Sequence, residues 1–186
     1  MLDVLSTHMD MMDDDARERI DLVHDDVRDA QAEGEFGLVI VPHNTFLHVL
    51  SREDQVRALR NLASHLSPGG RLVMSVFNPD LGRRDGSLVH LGTRVNRKGE
   101  TVSRFESQDV DVARQRMRVH HFYDVSRQGG PLSRITVSFD IVYLTLRDIE
   151  DLFAESGLVI EGVHGDYDST PFKSCSDTMV VVARRP

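Results

Sequence analysis

Four consecutive pieces decide the fold: FGLVIVPHNTFLHVL at 36–50, SREDQVRALRNLASHL at 51–66, SPGG at 67–70 and RLVMSVFNP at 71–79. The first holds an unbroken apolar run, 38–41, rich in β-branched residues. Such a run predicts a strand buried on both faces. The second predicts a helix. Ser51 caps it, Asp54 stands at its third position, and Val56, Leu59, Leu62, Ala63 and Leu66 fall on one face. Pro68-Gly69-Gly70 turns the chain, because Pro presets φ and Gly accepts a positive φ. Residues 71–77 are a second buried strand. Strand, helix and strand form one βαβ unit, so the two strands run parallel.

The remaining composition narrows the classes. The chain has 186 residues, enough for one domain with a real core, here taken as 1–186. Its net charge is −8, from 22 basic and 30 acidic residues. An acidic chain lacks the electrostatic footprint of a nucleic-acid binder. Lys98 and Lys173 are its only lysines, so nearly all basic charge is Arg. No apolar run is long enough to cross a bilayer and no signal peptide opens the chain, so no membrane partner is expected. Cys175 stands alone, which excludes an internal disulfide and fits a reducing, cytoplasmic setting.

The flanking segments extend the α/β reading. Residues 1 to about 15 have a helical pattern, with Asp13-Asp14-Asp15 as its solvated end. Residues 20–24 read as a short strand. Residues 81–99, with four glycines, read as loops around a short strand. Three β-like runs follow at 101–112, 115–125 and 133–144. Alternation is clear in Met117, Val119, His121, Tyr123 and Val125, and in Ile135, Val137, Phe139 and Ile141. Gln128-Gly129-Gly130-Pro131 is a turn, and the set predicts an antiparallel meander. Thr145 caps a helix with Asp148 at its third position, and Gly157 stops it. Strands at 158–163 and 179–183 close the chain.

Strand, polar loop, amphipathic helix and then Leu66-Ser67-Pro68-Gly69-Gly70-Arg71-Leu72-Val73 resemble the class I S-adenosylmethionine-dependent methyltransferases. The similarity is greatest to the bacterial small-molecule type that carries an antiparallel insertion after the fifth strand. The resemblance covers nearly the whole chain. It implies a Rossmann-like, mostly parallel sheet, an antiparallel β insertion at 81–144 covering the substrate side, and antiparallel C-terminal strands. It implies S-adenosylmethionine as cofactor and a small-molecule methyl acceptor. Residues 20–24 then match the family's third strand. Asp26 matches the acid that accepts from the adenine amino group, and the Val27 amide matches the donor to the ring. A carboxylate only accepts hydrogen bonds, which suits an exocyclic amine. A plain turn or helix-cap acid remains the alternative for Asp26.

The resemblance departs at the N-terminus. The family's first strand, its Gly-rich loop and the ribose-binding acid of the second strand would precede Met1, so the chain reads as N-terminally truncated. Weak or absent cofactor binding is then expected. Strand edges left open favour self-association. Two alternatives stay open: a non-catalytic methyltransferase-like remnant or interaction module, and a different nucleotide-binding α/β enzyme.

Ligands of open α/β sheets sit outside the carboxyl ends of the strands. Pro42, His43, Asn44 and Thr45 follow the central strand, at the family position beside the sulfonium and the acceptor. Pro42 and His43 are candidates for cofactor contact. His43 or His48 can take a proton from the acceptor, since His titrates near neutrality. Asn44, Phe77, Asn78, Tyr123, Tyr143 and Arg147 are candidates for the acceptor pocket. No metal is expected. His120 and His121 are adjacent on a strand and face opposite sides. Asp166-Tyr167-Asp168 lacks the spacing of a calcium loop and reads as solvated.

Overall fold

The computed structural model describes residues 2–9, 11–79, 86–127 and 130–186. Those expectations that rest on residues 80–85 and on Gln128 and Gly129 lie outside this range. The chain opens with α1 (Leu2–Met9) and α2 (Asp14–Arg17) where one continuous helix was expected. Asp13 separates them. Its carboxylate accepts from the Ala16 amide at 2.7 Å and so caps α2, while Asp13, Asp14 and Asp15 stay exposed as expected.

The βαβ unit forms as read. It consists of β1 (Phe36–Val41), α3 (Arg52–Ser64) and β2 (Leu66–Phe77), with β1 and β2 parallel. The Ser51 hydroxyl accepts from the Asp54 amide at 3.1 Å and caps α3. Val56, Leu59 and Ala63 are buried as expected, and Leu62 only packs at the margin. The Pro68-Gly69-Gly70 segment is a bulge within β2. Phe36 pairs with Leu66, and the next pair is Leu38 with Arg71. Gly70 is required there, because a Cβ would meet the Phe36 carbonyl oxygen at 2.8 Å.

A second sheet follows, built from β3 (Val89–Val95), β4 (Thr101–Asp111), β5 (Arg116–Ser126) and β6 (Ser133–Val142), all antiparallel in that order. Then come α4 (Leu146–Glu155), β7 (Val159–His164) and β8 (Thr178–Arg184). Thr145 and Asp148 form a reciprocal capping box at the start of α4. The first sheet has the order β1-β2-β8-β7. β8 is antiparallel to both neighbours, so β1, β2 and β7 all point the same way. The α/β, Rossmann-like reading with antiparallel C-terminal strands is borne out.

Both long helices cover one face of this sheet. Arg52 of α3 and Glu155 of α4 form an ion pair across them at 2.9 Å. Val41, Leu72, Met74, Val76, Met179 and Val181 face these helices and are buried. Met117, Val119, Ile141 and Tyr143 join the same core, so the two sheets share it. The other face of β1 is uncovered: Leu38 is 52% and Ile40 58% exposed. The expectation of a strand buried on both faces therefore fails on the side that lacks a helix layer.

The strand expected at 20–24 is also absent. These residues join no ladder, and Leu22 and Val23 are exposed. A short apolar run without a partner strand or a core to cover it is not held as β structure. Among the described residues β1 pairs only with β2, so its outer edge is open.

Candidate active site at the strand ends

β1 and β2 deliver their following loops to the same edge of the sheet. After Val41, His43 and Asn44 adopt left-handed backbone, with φ of 54° and 62°. Consecutive non-glycine residues there cost on the order of 1–3 kcal/mol each, and persist only where their surroundings hold them. Here β2 does so. The His43 amide donates to Ser75 Oγ at 3.0 Å, and the Asn44 amide donates to the Ser75 carbonyl at 3.1 Å. Asn44 Oδ1 accepts from the Phe77 amide at 2.7 Å. Thr45 Oγ1 closes the loop by donating to the Pro42 carbonyl at 2.6 Å. The polar backbone is consumed by the clamp, and the His43 side chain is left exposed at the strand end.

Ser75 also receives a second loop. Tyr167, between β7 and β8, donates its hydroxyl to Ser75 Oγ at 2.8 Å, and its ring centroid lies 6.4 Å from that of His43. The site thus presents an imidazole beside a phenol ring. Sequence reading missed both partners. Tyr167 sits in a polar stretch and is 61% exposed, which reads as solvated loop. Ser75 did carry a signal, as the one polar residue within the apolar run 72–77. It is buried, and a buried hydroxyl requires partners.

The other expected residues distribute differently. Phe77 is half-buried beside the clamp. Asn78 fastens the approach to β8: its side-chain amide donates to the Ser174 and Ser176 carbonyls at 3.0 and 2.9 Å. His48 ends a 3-10 turn at Thr45–His48, and its ring lies 5.4 Å from Phe139 of β6. Tyr143 is only 2% exposed in the shared core. Its hydroxyl reaches the Val112 carbonyl, so it stands inside the packing. Arg147 lies exposed on the first turn of α4. Tyr123 is on β5, with the Arg104 guanidinium 6.0 Å from its ring centroid.

Asp26 and Val27 form a turn docked on α3. Arg28 bridges Asp26 at 2.7 Å and Asp54 at 3.0 Å. Asn61 of α3 holds the carbonyls of Val27 and Ala30. Asp54 is in the first turn of α3, which starts at the carboxyl end of the strands. The Asp26 turn therefore stands at the same end of the molecule as His43. Hydrogen bonds from Arg28 lower the Asp26 pKa to about 2, so its carboxylate is ionised at neutral pH.

On the second sheet, His121 Nε2 lies 3.2 Å from Glu106 and 3.1 Å from Arg104, and Gln108 donates to Glu106 at 2.7 Å. His120 faces the other side, toward Asp109 and Ser138, as strand alternation requires. Among the described residues no metal-binding cluster occurs, and no helix is long and apolar enough to cross a membrane. A concavity of about 640 Å³, bordered by Arg52, Arg57 and Arg60, lies on the helix layer and not at the strand ends.

Comparison with known proteins finds relatives of this fold. Cypemycin N-terminal methyltransferase from a Streptomyces species is 25% identical over 185 residues, covering 99% of this chain and 73% of that protein. The CcbJ methyltransferase from Streptomyces caelestis superposes with a TM-score of 0.84 at 19% identity, over 99% of this chain and 70% of that one. The S-adenosylmethionine-bound amino pentose methyltransferase CalS10 from Micromonospora echinaspora superposes at 0.68 with 20% identity, over 87% and 63%. No family model matches the chain. The expected resemblance to class I S-adenosylmethionine-dependent methyltransferases is borne out at the level of the fold.

Proposed function

We propose that this protein transfers a methyl group from S-adenosylmethionine to an amine nitrogen of a small molecule. The observation that carries the reading is the clamped, left-handed His43-Asn44 pair at the carboxyl end of β1. Ligands of such sheets bind there, and backbone strain concentrates at functional sites. The names of two matched proteins, an N-terminal methyltransferase and an amino pentose methyltransferase, favour nitrogen as the acceptor atom.

The residues present fit part of the cofactor. Asp26 Oδ2 takes a single guanidinium N–H and keeps accepting capacity for the adenine amino group, with the Val27 amide as donor to the ring. Pro42 and His43 would border the methyl-bearing sulfur. The cofactor supplies an electrophilic methyl group. The chain orients the acceptor and takes a proton. His43 Nε2 or Nδ1 accepts that proton from the acceptor nitrogen, a step worth about 10²–10⁴-fold. Asn44 and Phe77 hold the loop that aims His43, which is the positioning such a transfer mainly needs. The second sheet, from β3 to β6, covers the acceptor side and excludes water through Phe139 and Tyr123. The lone Cys175 fits a cytoplasmic protein, and the open β1 edge gives it a route to pairing with a second copy.

The test is methyl transfer itself. The protein is incubated with S-adenosylmethionine and a panel of primary and secondary amines, and S-adenosylhomocysteine is quantified. Formation that depends on the amine is expected. A folded protein that forms none with any amine would overturn the proposal.

A further inference from the structure

One face of the second sheet carries a track of rings that leads away from His48, at the end of the turn following the strand-end loop. Val119 on β5 is opposite Phe139 on β6, His121 is opposite Val137, and Tyr123 is opposite Ile135. The root of this face, Met117, Val119 and Ile141, is buried in the shared core. From His48 the ring centroids step 5.4 Å to Phe139, 5.2 Å to His121 and 6.3 Å to Tyr123. At the outer end lies a cavity of about 380 Å³, bordered by Leu91, Gly92, Arg94, Val102, Arg104 and Tyr123. That volume lies within the range of about 300–1,000 Å³ typical of small-molecule sites. Gly92 keeps it open. Its φ of 135° belongs to glycine, it falls at a register shift opposite Arg104, and nothing approaches its Cβ position within 4 Å.

Two arginines border this cavity. Around the sheet Arg114 pairs with Asp111, Arg118 with Asp140, Arg127 with Glu100 and Arg134 with Asp124, and Arg116 donates to the Leu50 carbonyl. Among the described residues Arg94 and Arg104 have no carboxylate ion pair, and the nearest partner of Arg104 is the His121 ring. Two guanidiniums beside a phenol ring in a half-enclosed space suit a carboxylate carried on a partly apolar group.

We propose that this cavity is the distal subsite of the acceptor, and that the acceptor is an elongated amine bearing a carboxylate at its far end. The inference rests on the methyl-transfer reading for the amine end only. An extended chain of about five residues, at roughly 3.3 Å each, spans the ring steps from His48 to Tyr123.

The probes are two five-residue peptides with free amino termini, each ending in a phenylalanine, one as the carboxylate and one as the carboxamide. Binding to the intact protein is measured by calorimetry, without cofactor. The carboxylate peptide is expected to bind about three- to tenfold more tightly, the scale of a partly screened charge pair. Arg94→Gln with Arg104→Gln should equalise the two peptides. Arg104→Lys, which keeps the charge, should retain most of the preference. Equal binding of both peptides to the unaltered protein, or a preference that survives the double substitution, would overturn the subsite. Methyl transfer to the peptide amines is scored separately. Preference without transfer supports the subsite, and the catalytic reading then falls only if no amine of the panel is methylated, whereas transfer without preference removes the subsite alone.

Discussion

The side-chain oxygen of Asn44 accepts the backbone amide of Phe77 at 2.7 Å, so a left-handed residue at the end of β1 locks the end of β2. Two effects are superimposed at this position, the clamp and the backbone conformation. Asn44→Ala loses the hydrogen bond and puts a residue less tolerant of left-handed backbone at a φ of 62°, and should destabilise by about 1–3 kcal/mol. Asn44→Gly loses the bond but accepts the conformation, and should cost less. Urea titration of the three proteins gives the order. Equal losses for Ala and Gly would show that the backbone strain contributes nothing.

His43 is the proposed base, and its own φ of 54° complicates an alanine test. Asn tolerates left-handed backbone far better than most residues. His43→Asn should therefore keep the loop and still lower turnover by about 10²–10⁴-fold at neutral pH, with cofactor affinity nearly unchanged. A loss under about threefold would return His43 to the role of a loop residue. His48→Ala should instead raise the KM of the acceptor, because that ring packs on Phe139.

The Asp26–Arg28 pair makes a pH prediction. The folded pKa of Asp26 is about 2, below the ordinary 3.8, because Arg28 stabilises the carboxylate. A depressed folded pKa contributes stability above the unfolded value, and that contribution is lost as pH falls through the folded one. The gap in melting temperature between the unaltered protein and Asp26→Asn should thus hold from pH 7 to about pH 4 and shrink toward pH 2. A gap that stays constant down to pH 2 would remove the pair from the stability of this turn.

The outer edge of β1 predicts association. Leu38 and Ile40 are exposed beside an unpaired edge, a combination that recruits another strand. The 186-residue chain should show a concentration-dependent size by light scattering, and Ile40→Lys should reduce it. A monodisperse monomer at high concentration would contradict this expectation.

The elements that were legible are those with local causes. The Ser51 and Thr145 caps, the Gly157 stop at a φ of 78° and the alternation of Met117 through Val125 each encode a structure within a few residues. Elements that depend on a distant partner were not legible. Residues 20–24 carry strand-like side chains, yet no ladder receives them. The run at 38–41 resembles a strand covered twice, and only one side has helices. The strand-end site divides in the same way. His43 and Asn44 follow from strand order, whereas Tyr167 reaches Ser75 across 92 positions of sequence. Tyr143 continues the alternation of Ile135 to Ile141, and the shared core encloses it.

The Ser75 hydroxyl accepts both the His43 amide and the Tyr167 phenol. One atom therefore pins two loops that are remote in sequence, and neither can swing away without stripping a bond from the other's anchor. Their opening is expected to be concerted, a single gate with two leaves. A ligand that orders either leaf would slow hydrogen exchange in both.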